Sequence, residues 1–422
     1  MFSTITHDDQ SAWLKKFLTI WTGQSLSLLS SAVTNFALIW WLAKETDSAQ
    51  VLATVAIFAL APDIVVLPLV GTVVDHWDRR RIMLLADSSM MALTLGLAVL
   101  FVTDSIILPH IYFYQLATSV GQVFQRTAMV AATQQLVPLC FISRLQGLNT
   151  LLWGTSRLLV PPLAALLLTV LHLEAILLID VATACFAIAP LLLLRLPSLK
   201  VEAQPSGSEW DKKNFWRDIL GGAIYLARHR DLLALLVCVA LGGMLLTPMV
   251  IYLPLLVKNH FAGGARELAW IESAFGGGII CGGALLGLRK TTDKQVIIML
   301  VSMIGIGIGY GVLVLLANTL FFWALPIMLA IGILCALASA PTNTIFQTRV
   351  PAEYLGRVWV IYGLLSNIFS PVGLVISAML VDGLGVRGIM LVCALLYGGC
   401  AAIGFFIPVL RALDYEEKGA SA

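Results

Sequence analysis

Three ionisable side chains stand where a long apolar run would normally carry none: Asp63, Arg126 and Arg157, each near the centre of its run. A single central charge costs roughly 2.5–3.5 kcal/mol to insert into a bilayer, so three isolated ones would cost on the order of 8–10 kcal/mol. That rivals the net stability of a whole folded domain. They are therefore expected to meet one another or water. A carboxylate that can exchange an arginine partner for a proton can bind and release protons, which makes Asp63, with Arg126 and Arg157 beside it, the candidate proton-coupling group. Two arginines against one aspartate also leave a positive excess that would suit a ligand with an anionic group. The competing reading is an ion pair that only ties helices together.

Polar residues recur around these charges at helical spacing. Gln115, Ser119, Gln122, Arg126 and Thr133 form one stripe, and Gln146, Asn149, Thr150, Trp153 and Arg157 a second. Gln24, Ser31 and Asn35 form a third. Each stripe puts one wet face on an otherwise apolar helix. Gln24, Asn35, Gln122, Asn149 and Trp153 are the substrate-binding candidates in this half. The second half is less charged. It offers Asn343 and Tyr362 for binding, Asn367 beside them, and Glu272 as a further proton-coupling candidate. Serine and threonine hydroxyls can also bond their own backbone. Asp87 and Asp180 read equally well as helix-packing partners and as functional groups.

The elements that hold these residues are membrane helices. Of the 422 residues 59% are hydrophobic and only 12% charged, with a mean hydropathy of +0.93. An average soluble domain carries about twice that charge. Helices are expected at roughly 16–43, 50–74, 81–103, 108–137, 144–170, 173–194, 231–257, 266–288, 294–316, 320–347, 355–381 and 386–410. The fold class is thus an all-α membrane protein of twelve transmembrane helices in two pseudo-symmetric six-helix bundles. The bundles are residues 1–194 and 231–422. The polar stretch 195–230 joins them as a cytoplasmic linker, and its part from Asn214 to Arg228 reads as an interfacial amphipathic helix.

Lysine and arginine set the orientation. With the N-terminus inside, twenty of the 26 basic residues fall on the cytoplasmic side. Only Lys44, Lys258, Arg266 and Arg387 fall outside. An even helix count then puts both termini in the cytoplasm. The stretch from Gly71 to Arg81, with Asp75 at a helix end and Arg79, Arg80 and Arg81 after it, is the strongest cytoplasmic turn. The halves look related. Gln134, Val137-Pro138 and Arg144 recur as Gln347, Val350-Pro351 and Arg357 at a constant offset of 213. Parallel six-helix repeats of this kind are known in membrane transporters.

Several signals are set aside. The glycine run Gly305 to Gly311 superficially resembles a nucleotide loop, but it lies inside a helix and suits close helix packing. Gly276-Gly277-Gly278 is likewise a packing or bending site. The seven cysteines show no metal-ligand spacing. No catalytic triad or phosphate-binding lysine loop occurs, so the chain is not expected to be an enzyme, to hold a cofactor or metal, or to bind nucleic acid.

The Gly71–Arg81 stretch resembles the loop between the second and third helices of major facilitator transporters. Ile20-Trp21-Thr22-Gly23-Gln24, Val74 to Met83 with Ala86-Asp87, Ala175 to Val181, and Glu353 to Val358 resemble the macrolide-efflux branch of bacterial drug–proton antiporters. The likeness runs over nearly the whole chain. It implies a multi-pass protein of the bacterial plasma membrane that works as a monomer. It further implies efflux of a small amphipathic compound, macrolide-like or another toxic organic molecule, driven by proton entry through alternating access and conferring antibiotic resistance. By the same resemblance Gly71, Asp75, Arg79 and Arg81 belong to a gate that latches the two halves. His76 and Asp78 depart from the general pattern of the superfamily, and Thr118 stands where it has an arginine. Alternatives of the same fold are a siderophore exporter or a lysolipid flippase, and of another class a transport-dead membrane sensor.

The orientation carries a direct test. In a cysteine-free background, Gly207→Cys is expected to resist an impermeant thiol reagent added to intact cells and to react after permeabilisation. Strong labelling from outside would reverse the topology.

Overall fold

A chain that is apolar nearly throughout must satisfy its backbone within each segment, and helices do so without water. The computed structural model describes residues 7–66, 70, 73–74, 77–137, 139–193, 221–288 and 294–415. The first helices are α1 (His7–Thr46), α2 (Ala49–Val65), α3 (Arg79–Val102), α4 (Leu108–Leu136), α5 (Leu139–Val170) and α6 (Leu173–Leu193). After them come α7 (Arg230–Ile251), the short α8 (Leu253–Asn259), α9 (Ala265–Leu288), α10 (Gln295–Leu315), α11 (Phe321–Arg349), α12 (Ala352–Phe406) and α13 (Pro408–Tyr415). Gly71, Asp75 and the linker residues 195–220 lie outside the described residues. The end of the linker, 221–228, is helical. It rests on the first turns of α12, with Tyr225 stacked on Tyr354 at 4.8 Å between ring centroids.

Among the described residues nine helices are long and apolar enough to cross a membrane. The shorter α2 and the polar-striped α4 are not among the nine. The 55-residue α12 counts once, yet it breaks at Gly385, where φ is +68°. That conformation favours glycine, and it turns the chain between the last two expected spans. Proline marks the interior of many helices, including Pro62 in α2, Pro161 and Pro162 in α5 and Pro248 in α7. Each removes one helical donor and permits a bend.

The chain divides into two compact units, Met1–Ile39 with Phe58–Gly207, and Trp40–Ile57 with Ser208–Ala422. In the first, α3 packs between α4 and α6. Gly23 of α1 lies so close to α6 that a Cβ there would fall 2.6 Å from the Phe186 carbonyl oxygen. In the second, α9 packs on α11, α7 on α12, and α10 on both α11 and α12. The two glycine-rich runs serve these crossings. A Cβ on Gly278 would fall 2.2 Å from the Leu329 carbonyl oxygen, and one on Gly332 2.2 Å from that of Phe275. Along α10, Gly305 and Gly309 face α11, and Gly307 faces α12. Small residues at such crossings let backbones approach and gain dispersion energy where no hydrophobic force operates between helices.

The second unit also holds the end of α1 and the start of α2. Lys258 donates to the Ala43 and Lys44 carbonyls at 3.0 and 2.9 Å and pairs with Asp47 at 3.2 Å. Asn259 donates to Asp47 at 2.8 Å, and Gln50 to Asp382 at 2.8 Å. The hydrogen bond from Asn259, opposed by a modest desolvation and helped by Lys258, holds the Asp47 carboxyl below its ordinary value. At the far end of this unit the Asp414 side chain caps α10, accepting from the Val296 and Ile297 N–H groups, and Arg349 donates to the Leu413 carbonyl.

The glycine crossing is testable. Gly278→Leu or Gly332→Leu must push α9 off α11, an overpacking that costs roughly 1–3 kcal/mol. Both variants are expected to melt earlier than wild type in detergent, followed by size-exclusion after heating. Gly283→Leu, where nothing lies within 4 Å, is expected to melt as wild type does.

Candidate functional site

The charges that opened the sequence reading meet in part. Arg126 of α4 donates its Nη2 to the Asp63 carboxylate of α2 at 2.5 Å. Asp63 follows Pro62 inside the helix. The aspartate side chain is 27% exposed and the arginine 52%, so the pair sits at an open face of the first unit rather than sealed in its core. Arg157 of α5 is exposed and is not joined to Asp63. Gln122, one turn from Arg126, is exposed, as are Trp153 and Asn35.

The α1 stripe has a different character from the open face expected of it. Gln24 is only 8% exposed. Its Nε2 donates to Asp87 Oδ2 of α3 at 2.7 Å, and its Oε1 accepts from Gln125 Nε2 of α4 at 2.6 Å. Ser31 donates to Asp180 of α6 at 2.9 Å, and Trp21 Nε1 donates to Asn149 of α5 at 2.9 Å. Thus α1 is bonded through side chains to α3, α4, α5 and α6. Asp87 and Asp180 are 6% and 5% exposed. Thr118, Thr127 and Thr133 instead bond carbonyls of their own helix.

Gln125 and Tyr114 were missed by the sequence reading. Gln125 follows Gln122 by three positions, so the helical period alone could have marked it. Tyr114, which shares a hydrogen bond with Thr94 at 3.3 Å, carries no such signal. In the arginine cluster Arg80 donates to the Leu191 and Leu192 carbonyls at the end of α6. Cations suit such helix C-termini. Asp78 caps α3, accepting from the Arg80 N–H at 3.0 Å. Arg81 is largely exposed and 3.9 Å from Asp78. Arg79 is buried, and its Nε and Nη1 have no hydrogen-bond partner among the described residues.

In the second unit the candidates do not converge in this way. Glu272 of α9 is half-buried and within electrostatic reach of Tyr310 on α10. Asn343 is exposed on α11, and Asn367 is half-buried on α12. Tyr362 packs in an aromatic group with Trp359, edge-on at 5.3 Å, and with Phe346 at 5.7 Å. Among the described residues no group of histidine, cysteine, aspartate and glutamate is arranged to hold a metal ion.

Long apolar helices with buried polar links and an ion pair facing an open side define a polytopic membrane protein. The chain belongs to the Major Facilitator Superfamily, which it matches over residues 20–373. As a member it is a multi-pass transporter of a small molecule and not an enzyme, and the family's fold has twelve spans. It is 30% identical over 404 residues to macrolide efflux protein A of Streptococcus pyogenes, covering 96% of this chain and 98% of that one. It is 22% identical over 409 residues to the multidrug efflux pump Tap of Mycolicibacterium fortuitum, covering 92% and 94%. Among solved structures it is similar to the nucleoside transporter NupG, with a TM-score of 0.69 at 14% identity over 94% of this chain and 99% of that one. A bacterial homologue of the human lysosomal transporter Spinster, inward-facing and unoccupied, gives a TM-score of 0.66 at 12% identity over 95% and 98%. These two structural likenesses speak to the fold alone.

The ion pair has its own test. Asp63→Asn or Arg126→Gln alone leaves the other charge unpartnered and is expected to lower stability, by less than breaking a fully buried pair would because both groups are partly exposed. The double variant, which removes both charges, is expected to recover much of that loss. Thermal unfolding of all four proteins in one lipid mixture measures the coupling.

Proposed function

We propose that this transporter exports a small amphipathic organic compound, of the macrolide kind, across the bacterial plasma membrane in exchange for protons. Both termini are cytoplasmic in this reading, the protein acts as a monomer, and it moves its substrate by alternating access. The observation that carries it is the Asp63–Arg126 pair on an open face of the first unit. The full-length likeness to macrolide efflux protein A supports the substrate class. The exposed Gln122 and Trp153 offer an amide and a large flat apolar surface to such a molecule.

Coupling follows from the pair. In this reading Asp63 is partnered by Arg126 in one state of the cycle. In the other state, with the arginine drawn away by movement or by substrate, a proton replaces it as the partner of the carboxylate. Proton affinity then differs between states, which lets a proton gradient drive the cycle. Arg157, exposed and not engaged by Asp63, supplies the positive excess that would favour an anionic amphiphile, a siderophore or a lysolipid, as the second reading.

Asp63→Asn separates coupling from binding. In proteoliposomes loaded with erythromycin the variant is expected to exchange labelled for unlabelled drug at the wild-type rate. It should fail to concentrate drug when a pH gradient is imposed. Uphill transport by the variant, still abolished by an uncoupler, would move the coupling role to another carboxylate, with Glu272 tested next.

A further inference from the structure

The first unit contains a second carboxylate that the ion pair does not use. Asp87 lies on α3 at 6% exposure, and its hydrogen bond is to a neutral amide, Gln24 Nε2, at 2.7 Å. Its level in the bundle is fixed by its neighbours. Ala86 and Met90 lie against Gly121 of α4, and Gly23 of α1 lies against Phe186 and Ala187 of α6. No charged residue occurs on α1 between Lys16 and Lys44. On α4, Arg126 is engaged by Asp63, and Tyr114 bonds Thr94, two turns along α3 from Asp87. His110 is a further turn beyond Tyr114. On α6, Asp180 bonds Ser31, two turns along α1 from Gln24, and Glu174 lies farther still. The arginines of α3 itself, Arg79, Arg80 and Arg81, are at its first turn. An ionised carboxylate so enclosed requires several donors or a counter-charge. A proton can supply that counter-charge.

The chain Gln125–Gln24–Asp87 has a property that follows from the chemistry of amides. Each amide has a donating and an accepting end that exchange places by a half-turn of its last bond. The spacings of 2.6 and 2.7 Å accommodate the chain run in either direction. With Asp87 ionised, Gln125 donates to Gln24 and Gln24 donates to Asp87. With Asp87 protonated, its O–H donates to Gln24 Oε1. Gln24 Nε2 then donates to Gln125 Oε1, and the free end of Gln125 changes from an acceptor to a donor. Gln125 is half-buried and adjoins Arg126 in sequence. We propose that Asp87, Gln24 and Gln125 form a relay in which a proton taken up by Asp87 reverses both amides and reports its presence at the face that carries Arg126 and Gln122. Asp87 is the proton-binding group, and Gln24 and Gln125 are positioning residues. No bond other than the O–H is made or broken, and the proton returns to water by the same carboxylate.

The use of this relay in transport rests on the proton-coupled reading above, but the relay itself is measured without substrate. The experiment is infrared difference spectroscopy of the full-length protein in lipid, stepped between neutral and acidic buffer, with 13C at the glutamine side-chain carbonyl. Wild type is expected to show a carboxylic acid C=O band that appears on acidification, together with a shift of the labelled amide bands. Asp87→Asn is expected to remove the component of the carboxylic band that belongs to Asp87, together with the amide shift. Gln24→Leu is expected to keep the carboxylic band and lose the amide shift at Gln125. Gln125→Leu, altered at the half-exposed end of the chain where folding is least at risk, is expected to keep the carboxylic band and a reduced amide shift from Gln24 alone. A titrating band unchanged in Asp87→Asn, or an amide shift unchanged in Gln24→Leu, overturns the relay. Failure of gradient-driven drug transport would overturn the efflux reading and leave these spectra as they are.

Discussion

A polar side chain inside a bilayer has no water to fall back on, so each must find a partner in the protein. The first unit is organised by that requirement. Among the described residues, α1 carries several of its polar links between helices. Trp21, Gln24 and Ser31 reach α5, α3 with α4, and α6 in turn. Between those contacts Gly23 brings the α1 backbone against that of α6. The hydrogen bonds supply direction, and the close approach supplies dispersion. Removing one buried donor here would strand its acceptor, which typically costs about 1–3 kcal/mol.

The second unit relies on close backbone crossings as well. Glycines on α9, α10 and α11 allow backbones to touch carbonyl oxygen to Cα. Polar contacts gather instead at the helix ends, where orphan carbonyls and N–H groups need partners. Lys258 serves the end of α1, and Asp414 serves the start of α10. A unit held by a web of buried amides and carboxylates has discrete alternatives, because each donor has a defined acceptor.

Much of the organisation was legible from residue types. Mean composition excluded a soluble protein, apolar run lengths set the spans, and the expected spans 355–381 and 386–410 left a turn between them, which the structure makes at Gly385. The glycine runs were correctly separated from nucleotide loops. Periodicity was less reliable for the site. It grouped Gln24, Ser31 and Asn35 on one face as though all three lined a cavity. In the fold Gln24 and Ser31 are bonded to neighbouring helices, and Asn35 remains exposed. A helical stripe says that residues share a side, but not whether that side meets water or another helix's polar group.

The sequence by itself determined that this is a helical membrane protein, how many spans it can make, and that a few charges within them must be reconciled. Those conclusions depend on transfer energies and on run length, which are local properties. The tertiary structure alone decided which charges meet. Asp63 takes Arg126 and not Arg157, Asp87 takes an amide, and Asp180 takes a serine. Partners 63 or 149 positions apart in the chain are set by how helices pack, and packing depends on small residues and side-chain shapes acting together over the whole bundle rather than on any one stretch.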